Sequence, residues 1–290
     1  MNRAFPLDWV DAFADRPFGG NGCAVVHDGG ALDAETCKAF VRETGLVECT
    51  FVGPSVVADW KVRYFLARAE IPFAGHPTVA TAASLAARGM VTGRCVTLET
   101  GAGIVPVEVS GDRVSMVQTP PVFGEEVPEG IAAAVVGLSP GDIVATPQIV
   151  STGLPFCITL LRDHEALRRV RLDAAALSRF RAQFDDTAGI MEPFLVTLTG
   201  ATAAGRTFSR LLLEPPAPPE DPFTGSATGA MAAYLWAKGL IDNPRFTAEQ
   251  GHWMGRPGSA EVEVLGPRHA ITGVRVAGRA HLLIRGELLL

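Results

Sequence analysis

Fifteen residues, Gly75–Gly89 (GHPTVATAASLAARG), recur in looser form 150 positions later as Gly225–Gly239 (GSATGAMAAYLWAKG). Gly75, Thr78, Ala80, Ala82, Ala83, Leu85, Ala87 and Gly89 are identical to their counterparts. Each copy opens on a Gly-rich polar turn, continues as an Ala-rich run and stops at a glycine, the start and C-cap signature of a helix. The plainer alternative is two unrelated Ala-rich helices, but the matched Gly and Thr positions favour a repeat. A repeated helix half a chain apart implies two related halves. It also implies a cleft in which two helix N-termini face one ligand. Such termini attract anions, because their first N–H groups lack partners and the helix dipole adds partial positive charge.

Composition narrows the rest. The chain has 290 residues, 48% hydrophobic and 19% charged, enough to bury a substantial core in one large or two medium domains. A formal net charge of −6 and the lack of a basic stripe argue against nucleic acid as a partner. The longest apolar stretch, Ile131–Leu138, falls well short of the roughly 20 residues of a membrane span. The stretch Met1–Asp8 lacks the apolar core of a signal peptide. Cys23, Cys37, Cys49, Cys95 and Cys157 are odd in number and form no CxxC pair, which fits free thiols in the cytoplasm. The six scattered histidines form no ligand motif, so no metal is expected. Gly101-Ala102-Gly103 lacks GxGxxG spacing and a following helix, so no dinucleotide cofactor is expected either.

Short strands are predicted at Asp8–Phe13, Cys23–His27, Glu48–Val52, Val62–Leu66, Cys95–Glu99, Ile104–Val109 and Val114–Thr119. Asp33 is placed as N-cap of a helix over 33–43. The Pro- and Gly-rich stretch Pro120–Gly130 reads as a linker. Beyond it, strands are predicted at Phe156–Leu161, Phe194–Leu198, Ser209–Leu213, Ala260–Leu265, Ile271–Ala277 and Ala280–Arg285, with a helix over 163–170. Strands outnumber helices, and the turns look too short for βαβ crossovers. The expected class is α+β with mainly antiparallel sheets, each wrapped around its Ala-rich helix, whose small side chains allow close packing on all sides. The expected division is residues 1–119 and 120–290, with the last strand free to return to the first half.

The chemistry concentrates at the two helix starts. The first reads Phe73-Ala74-Gly75-His76-Pro77-Thr78, with Pro77 near the first helical position and Gly75 permitting close backbone approach. The second reads Asp221-Pro222-Phe223-Thr224-Gly225-Ser226-Ala227, with Thr224 or Ser226 able to cap. His76 and Asp221 each have an ordinary alternative, a buried or capping histidine and a capping aspartate. Gly225-Ser226-Ala227-Thr228-Gly229 is not a GxSxG elbow, because the serine sits one place early. Glu48 stands in the strand-like run Leu46–Val52, where it either points outward at a strand edge or faces an enclosed site. In an enclosed site desolvation would raise its pKa toward neutrality, where a carboxyl group can take and return a proton.

Taken together these residues resemble the phenazine-biosynthesis PhzF-like family, within the diaminopimelate-epimerase fold. The resemblance runs through nearly the whole chain. It rests on Val10-Asp11-Ala12-Phe13, Gly20-Asn21, Ala24-Val25-Val26, Glu48-Cys49-Thr50-Phe51-Val52, Gly75-His76-Pro77-Thr78, Glu220–Ala227, Glu249-Gln250-Gly251 and Met254-Gly255-Arg256-Pro257. It implies two pseudo-symmetric domains, each a mainly antiparallel β-barrel around a central helix, an active site between them, and a homodimer. It also implies a catalytic glutamate at Glu48 supported by His76 and Asp221. Gly75, Thr224, Gly225, Ser226 and Asn21 would bind a small carboxylate-bearing substrate, without a cofactor.

Asn21-Gly22, Tyr64-Phe65-Leu66-Ala67 and the inserted His252-Trp253 depart from the family pattern and put the substrate in question. The expected activity is an isomerase that moves a proton on a small acid, chemically one-sided because Glu48 occurs in only one half. The rivals are a racemase or epimerase, and a small-acid-binding protein without turnover. The two-cysteine racemases of this fold are disfavoured, since neither helix start carries a cysteine. Cys49, beside Glu48, has no assigned role.

Overall fold

The computed structural model describes residues 3–184 and 191–290, so Met1 and Asn2 of the N-terminal stretch lie outside it. The first half runs β1 (Ala4–Ala12), β2 (Asn21–Val26), α1 (Ala34–Thr44), β3 (Glu48–Gly53), β4 (Trp60–Leu66), β5 (Glu70–Ile71), α2 (Gly75–Ala87), β6 (Cys95–Thr100), β7 (Gly103–Ser110) and β8 (Arg113–Gln118). The second half opens with β9 (Val122–Glu126), α3 (Glu129–Val135), β10 (Gln148–Ser151), β11 (Pro155–Leu160), α4 (His164–Arg169) and α5 (Ala174–Gln183). It continues with β12 (Glu192–Thr197), β13 (Thr207–Leu212), β14 (Glu220–Asp221), α6 (Gly225–Ala237), β15 (Arg245–Gln250), β16 (Gly258–Leu265) and β17 (Gly273–Leu289).

The fold is α+β, and each half wraps its strands around one repeat helix. In the first, β1, β2, β3, β4, β6, β7, β8 and β17 pair in that order, and β17 returns to β1 to close a barrel around α2. The second repeats the scheme with β10, β11, β12, β13, β15, β16 and β17 around α6. Most pairs are antiparallel. Four are parallel, β2–β3, β4–β6, β11–β12 and β13–β15, against the expectation that no crossovers occur. The crossovers exist because a helix lies between the members of each pair, namely α1, α2, α4 with α5, and α6.

The closing strands are exchanged. Residues 273–277 of β17 pair with β16, residues 274–279 with β8, and residues 280–289 with β1, so the two short strands expected there form one. Reciprocally, β9 leaves the end of β8 and pairs with β10. The stretch read as a linker therefore carries a strand, whose ladder partner, Gln148–Ser151, is too short and polar to stand out in the sequence.

Both repeat helices are apolar nearly all round. Val79, Ala80, Ala82 and Leu85 of α2, and Ala227, Ala230, Met231, Tyr234 and Leu235 of α6, are fully buried in one continuous core. Alanine at the facing positions lets strands approach from every side. The outer faces are closed separately. Cys37 and Val41 of α1 pack on Phe51 and Phe65, and α3, α4 and α5 pack on Leu195 and Phe208. Asp33 caps α1 by accepting from Thr36 N at 2.9 Å. Gly89 and Gly239, the paired stop signals, both adopt φ of +70°, where a side chain would be strained. The repeat also reaches further back than Gly75. Arg63–Glu70 and Arg210–Glu220 are matching bidentate ion pairs at equivalent strand positions, leading into Pro72-Phe73 and Pro222-Phe223.

Candidate active site

The two helix starts meet. A Cβ on Gly75 would stand 2.4 Å from Ser226 N and 2.7 Å from the Gly225 carbonyl carbon, so only glycine permits this approach. Neither helix has the side-chain cap that the sequence offered. The Thr224 hydroxyl instead donates to Asp221 Oδ2 at 2.5 Å, and the Thr78 hydroxyl to the Ala74 carbonyl at 2.6 Å. Gly75, His76, Thr224, Gly225 and Ser226 line one pocket of about 690 Å³ of non-atom space, part of it open to solvent. The first N–H groups of a helix have no intrahelical partner, so two uncapped starts side by side form a cradle for an anion.

Glu48, at the start of β3, and Asp221, at the end of β14, line the same pocket. Glu48 Oε2 lies 3.4 Å from His76 Nδ1. Burial raises the Glu48 carboxyl well above its ordinary range, and the nearby Asp221 and Glu192 charges add to the effect. Burial likewise lifts Asp221 to about 6, against hydrogen bonds from Thr224 and Asn21 that favour its ionised form. His76 is pushed down to about 3 by burial and stays neutral.

Asn21 joins the two. Its Nδ2 lies 2.9 Å from His76 Nδ1, 2.5 Å from Asp221 Oδ1 and 2.9 Å from the Phe223 carbonyl. The Phe223 carbonyl can only accept, which fixes the amide orientation. His76 Nδ1 is then an acceptor and the ring proton sits on Nε2. A protonated Glu48 is the form able to donate toward that Nδ1. Asn21 was expected on the substrate side; it stands behind His76 and Asp221 and does not line the pocket. Gln250 completes the support, donating to the Asp221 carbonyl at 2.8 Å and accepting from Thr224 N at 3.0 Å.

Two pocket carboxyl groups escaped the sequence analysis: Glu214, which accepts from Arg181, and Glu192. Glu192, the first residue of β12, lines the pocket from the second barrel. A glutamate therefore lines the pocket from each half, where only Glu48 was expected. The signal was present, since Glu48-Cys-Thr-Phe-Val and Glu192-Pro-Phe-Leu-Val share their first and last residues. The proline after Glu192 and the six-residue difference in distance to the helix start concealed it.

The remaining motifs are structural supports. Asp11 accepts from Arg256 at 2.7 Å and from Phe18 N at 2.7 Å, and Arg256 also reaches the Gly19 and Gly20 carbonyls, tying the halves together beside the site. Phe13 stacks on Phe223 at 4.6 Å. Of the inserted pair, Trp253 packs outside the second barrel, 4.6 Å from Phe208 and under the Arg168 guanidinium, away from the pocket. Cys49 is buried against the α1 side with its thiol pushed up to about 12, and serves as core filler. All five cysteines are unpaired. Among the described residues, no three His, Cys, Asp or Glu side chains are grouped as metal ligands, and no helix is long and apolar enough to cross a membrane.

The family model for phenazine biosynthesis-like proteins, PhzC-PhzF, matches residues 10–286. The chain belongs to this family. An uncharacterized isomerase of Salmonella typhimurium, YddE, is 30% identical over 292 residues, covering 96% of each chain. The trans-2,3-dihydro-3-hydroxyanthranilate isomerase of Pseudomonas chlororaphis is 28% identical, covering 97% of this chain and 98% of its own. The crystal structure of a PhzF-family phenazine biosynthesis protein of Bacillus anthracis superposes with a TM-score of 0.84 at 26% identity, over 99% of this chain and 100% of the other. These relationships place the chain among PhzF-family isomerases.

Proposed function

We propose that this PhzF-family protein is a cofactor-independent isomerase that moves a proton on a small carboxylate-bearing metabolite. The reading rests on one arrangement, a largely enclosed Glu48 beside a neutral His76 and a raised Asp221, all facing two uncapped helix starts. The substrate carboxylate sits on the N–H groups of Gly75, His76, Gly225 and Ser226. Glu48 takes a C–H proton near that carboxylate, and His76 and Asp221 hold the polar substituent. Positioned proton transfer contributes about 10²–10⁴-fold, and the preorganised N–H groups stabilise the charge that develops. A racemase of the two-thiol type does not suit Gly75-His76 and Gly225-Ser226, which offer no thiol.

The first substrate to try is that of the Pseudomonas relative, trans-2,3-dihydro-3-hydroxyanthranilate. Incubation in D₂O, followed by NMR, should show turnover with exchange at carbon. Glu48→Gln should abolish both while still binding benzoate, used as a carboxylate probe. Undiminished exchange in that variant would remove Glu48 from the reaction.

A further inference from the structure

Glu192 is a pocket carboxyl group that this reading leaves without a task. It opens β12 as Glu48 opens β3, and the two strands are counterparts. Strand β3 runs parallel to β2 and antiparallel to β4, while β12 runs parallel to β11 and antiparallel to β13. The pseudo-two-fold relation that brings the helix starts together also brings these two counterpart glutamates to the same pocket.

Two arginines form long ion pairs with it. Glu192 Oε1 lies 3.6 Å from Arg68 Nη2 and 3.7 Å from Arg181 Nη2, beyond the 2.7–2.9 Å of a charge-assisted hydrogen bond. Arg181 donates instead to Glu214 at 2.5 Å. The charged groups facing Glu192 are Arg68 from the β4–β5 turn, Arg181 from α5, Glu214 after β13, Asp221 from β14 and Glu48 from β3. Burial dominates their sum and lifts the Glu192 carboxyl to about 8, so it holds a proton at neutral pH.

We infer that Glu192 is a second catalytic proton-transfer residue, acting on the substrate from the second barrel while Glu48 acts from the first. The inference rests on the isomerase reading above and divides its chemistry. Glu48, once it has released its own proton to solvent, takes the C–H proton as a carboxylate, breaking that bond. The electron pair moves along the adjacent π system, and the Glu192 carboxyl gives its proton to the carbon where it arrives. One C–H bond breaks, one forms, and no electron leaves the substrate. Glu48 ends protonated and Glu192 ionised, and exchange with solvent resets both.

Two measurements test it. With trans-2,3-dihydro-3-hydroxyanthranilate deuterated at C2 and C3 and turned over in H₂O, the wild type should place solvent hydrogen on the newly protonated carbon. Glu192→Gln should slow turnover by about 10²–10⁴-fold. The residual product should carry deuterium, because Glu48 must then return the proton it took. Retained deuterium in the wild-type product, with rate and retention unchanged in Glu192→Gln, overturns the assignment.

The second measurement needs no turnover and decides the case if that compound is not a substrate, an outcome that would count against the substrate choice alone. Benzoate binding near pH 8, followed by calorimetry in two buffers, should take up roughly half a proton as the bound anion restores the Glu192 proton. Glu192→Gln should lose that uptake and Glu192→Asp should keep it. Uptake surviving in Glu192→Gln overturns the inference, and failure of benzoate to bind at all overturns the anion cradle together with it.

Discussion

Replacing Gly75 by alanine adds one methyl group at the point where the two barrels touch. Its Cβ would lie 2.4 Å from Ser226 N and 2.8 Å from Gly225 Cα, against the 3.4–4 Å of ordinary contact. The obstacle is backbone of the facing helix, so no side-chain rotation relieves it, and one helix start must move about 1 Å against a well-packed core. Overpacking of this kind costs about 1–3 kcal/mol, and a backbone–backbone clash belongs at the upper end. The helix-propensity gain of alanine over glycine, at most about 1 kcal/mol, offsets part of it. A net loss of about 2 kcal/mol should lower Tm by roughly 4–8 °C for a chain of this size. Displacing the donors by about 1 Å should also weaken benzoate binding at least about 10-fold, which calorimetry reads directly. Gly130→Ala is the control: its Cβ would meet nothing within 4 Å, so Tm should hold or rise and binding should not change. A Gly75→Ala protein with wild-type Tm and wild-type benzoate affinity would refute the claim that the two starts are in contact and form the site.

Other consequences can be read separately. Glu192, raised from 4.5 to about 8 on folding, contributes stability that is complete below pH 4.5 and lost as pH rises toward 8. Urea denaturation from pH 5 to 8 should therefore show a decline that Glu192→Gln lessens, the remainder coming from Glu48 and Asp221, which are raised in the same direction. His76, lowered from 6.5 to about 3, acts in the opposite sense: its contribution is complete above 6.5 and lost as pH falls toward 3, and His76→Gln should flatten that acid limb. Asn21→Ala should remove the amide donor to His76 Nδ1 and Asp221 Oδ1, costing about 1–3 kcal/mol in urea denaturation and lowering kcat more than it raises KM. Trp253→Ala should cost about 2 kcal/mol through lost contacts with Phe208 and Arg168 while leaving kcat unchanged, since the ring lies outside the pocket.

What could be read from the sequence was what repeats locally or keeps a period. The Ala-rich helices, the Asp33 cap and most strands of the first half lie in such stretches, whereas Glu48, His76 and Asp221 were singled out through the family resemblance, and the structure brings all three to one pocket. Arg245–Gln250 was missed because its buried end is Ala-Glu-Gln: Glu249 is hidden yet satisfied by Thr202 at 2.9 Å, an arrangement that polarity alone cannot reveal. Asn21 was identified as a site residue, but its position behind the carboxylate depends on contacts 55 and 200 residues away. The return of the last strand to the first half was allowed for, but Glu192, the β9 exchange and the register of the β1–β17 ladder share a reason for escaping notice. Each makes sense only after the second half is laid on the first, and pairings such as Ala4 with Leu289 leave no local trace.

That last pairing bears on how the molecule comes into being. The first barrel holds residues from β1 onward, but its seam between β1 and β8 stays open until residues 273–289 arrive. A ribosome releasing the chain from its N-terminal end would thus expose an incomplete barrel, with two unpaired strand edges, through most of synthesis. Neither half can mature alone, and the pocket, whose walls come from both, cannot exist before the seam is shut. Catalytic competence in this protein should appear late and all at once, as a property of the closed pair of barrels.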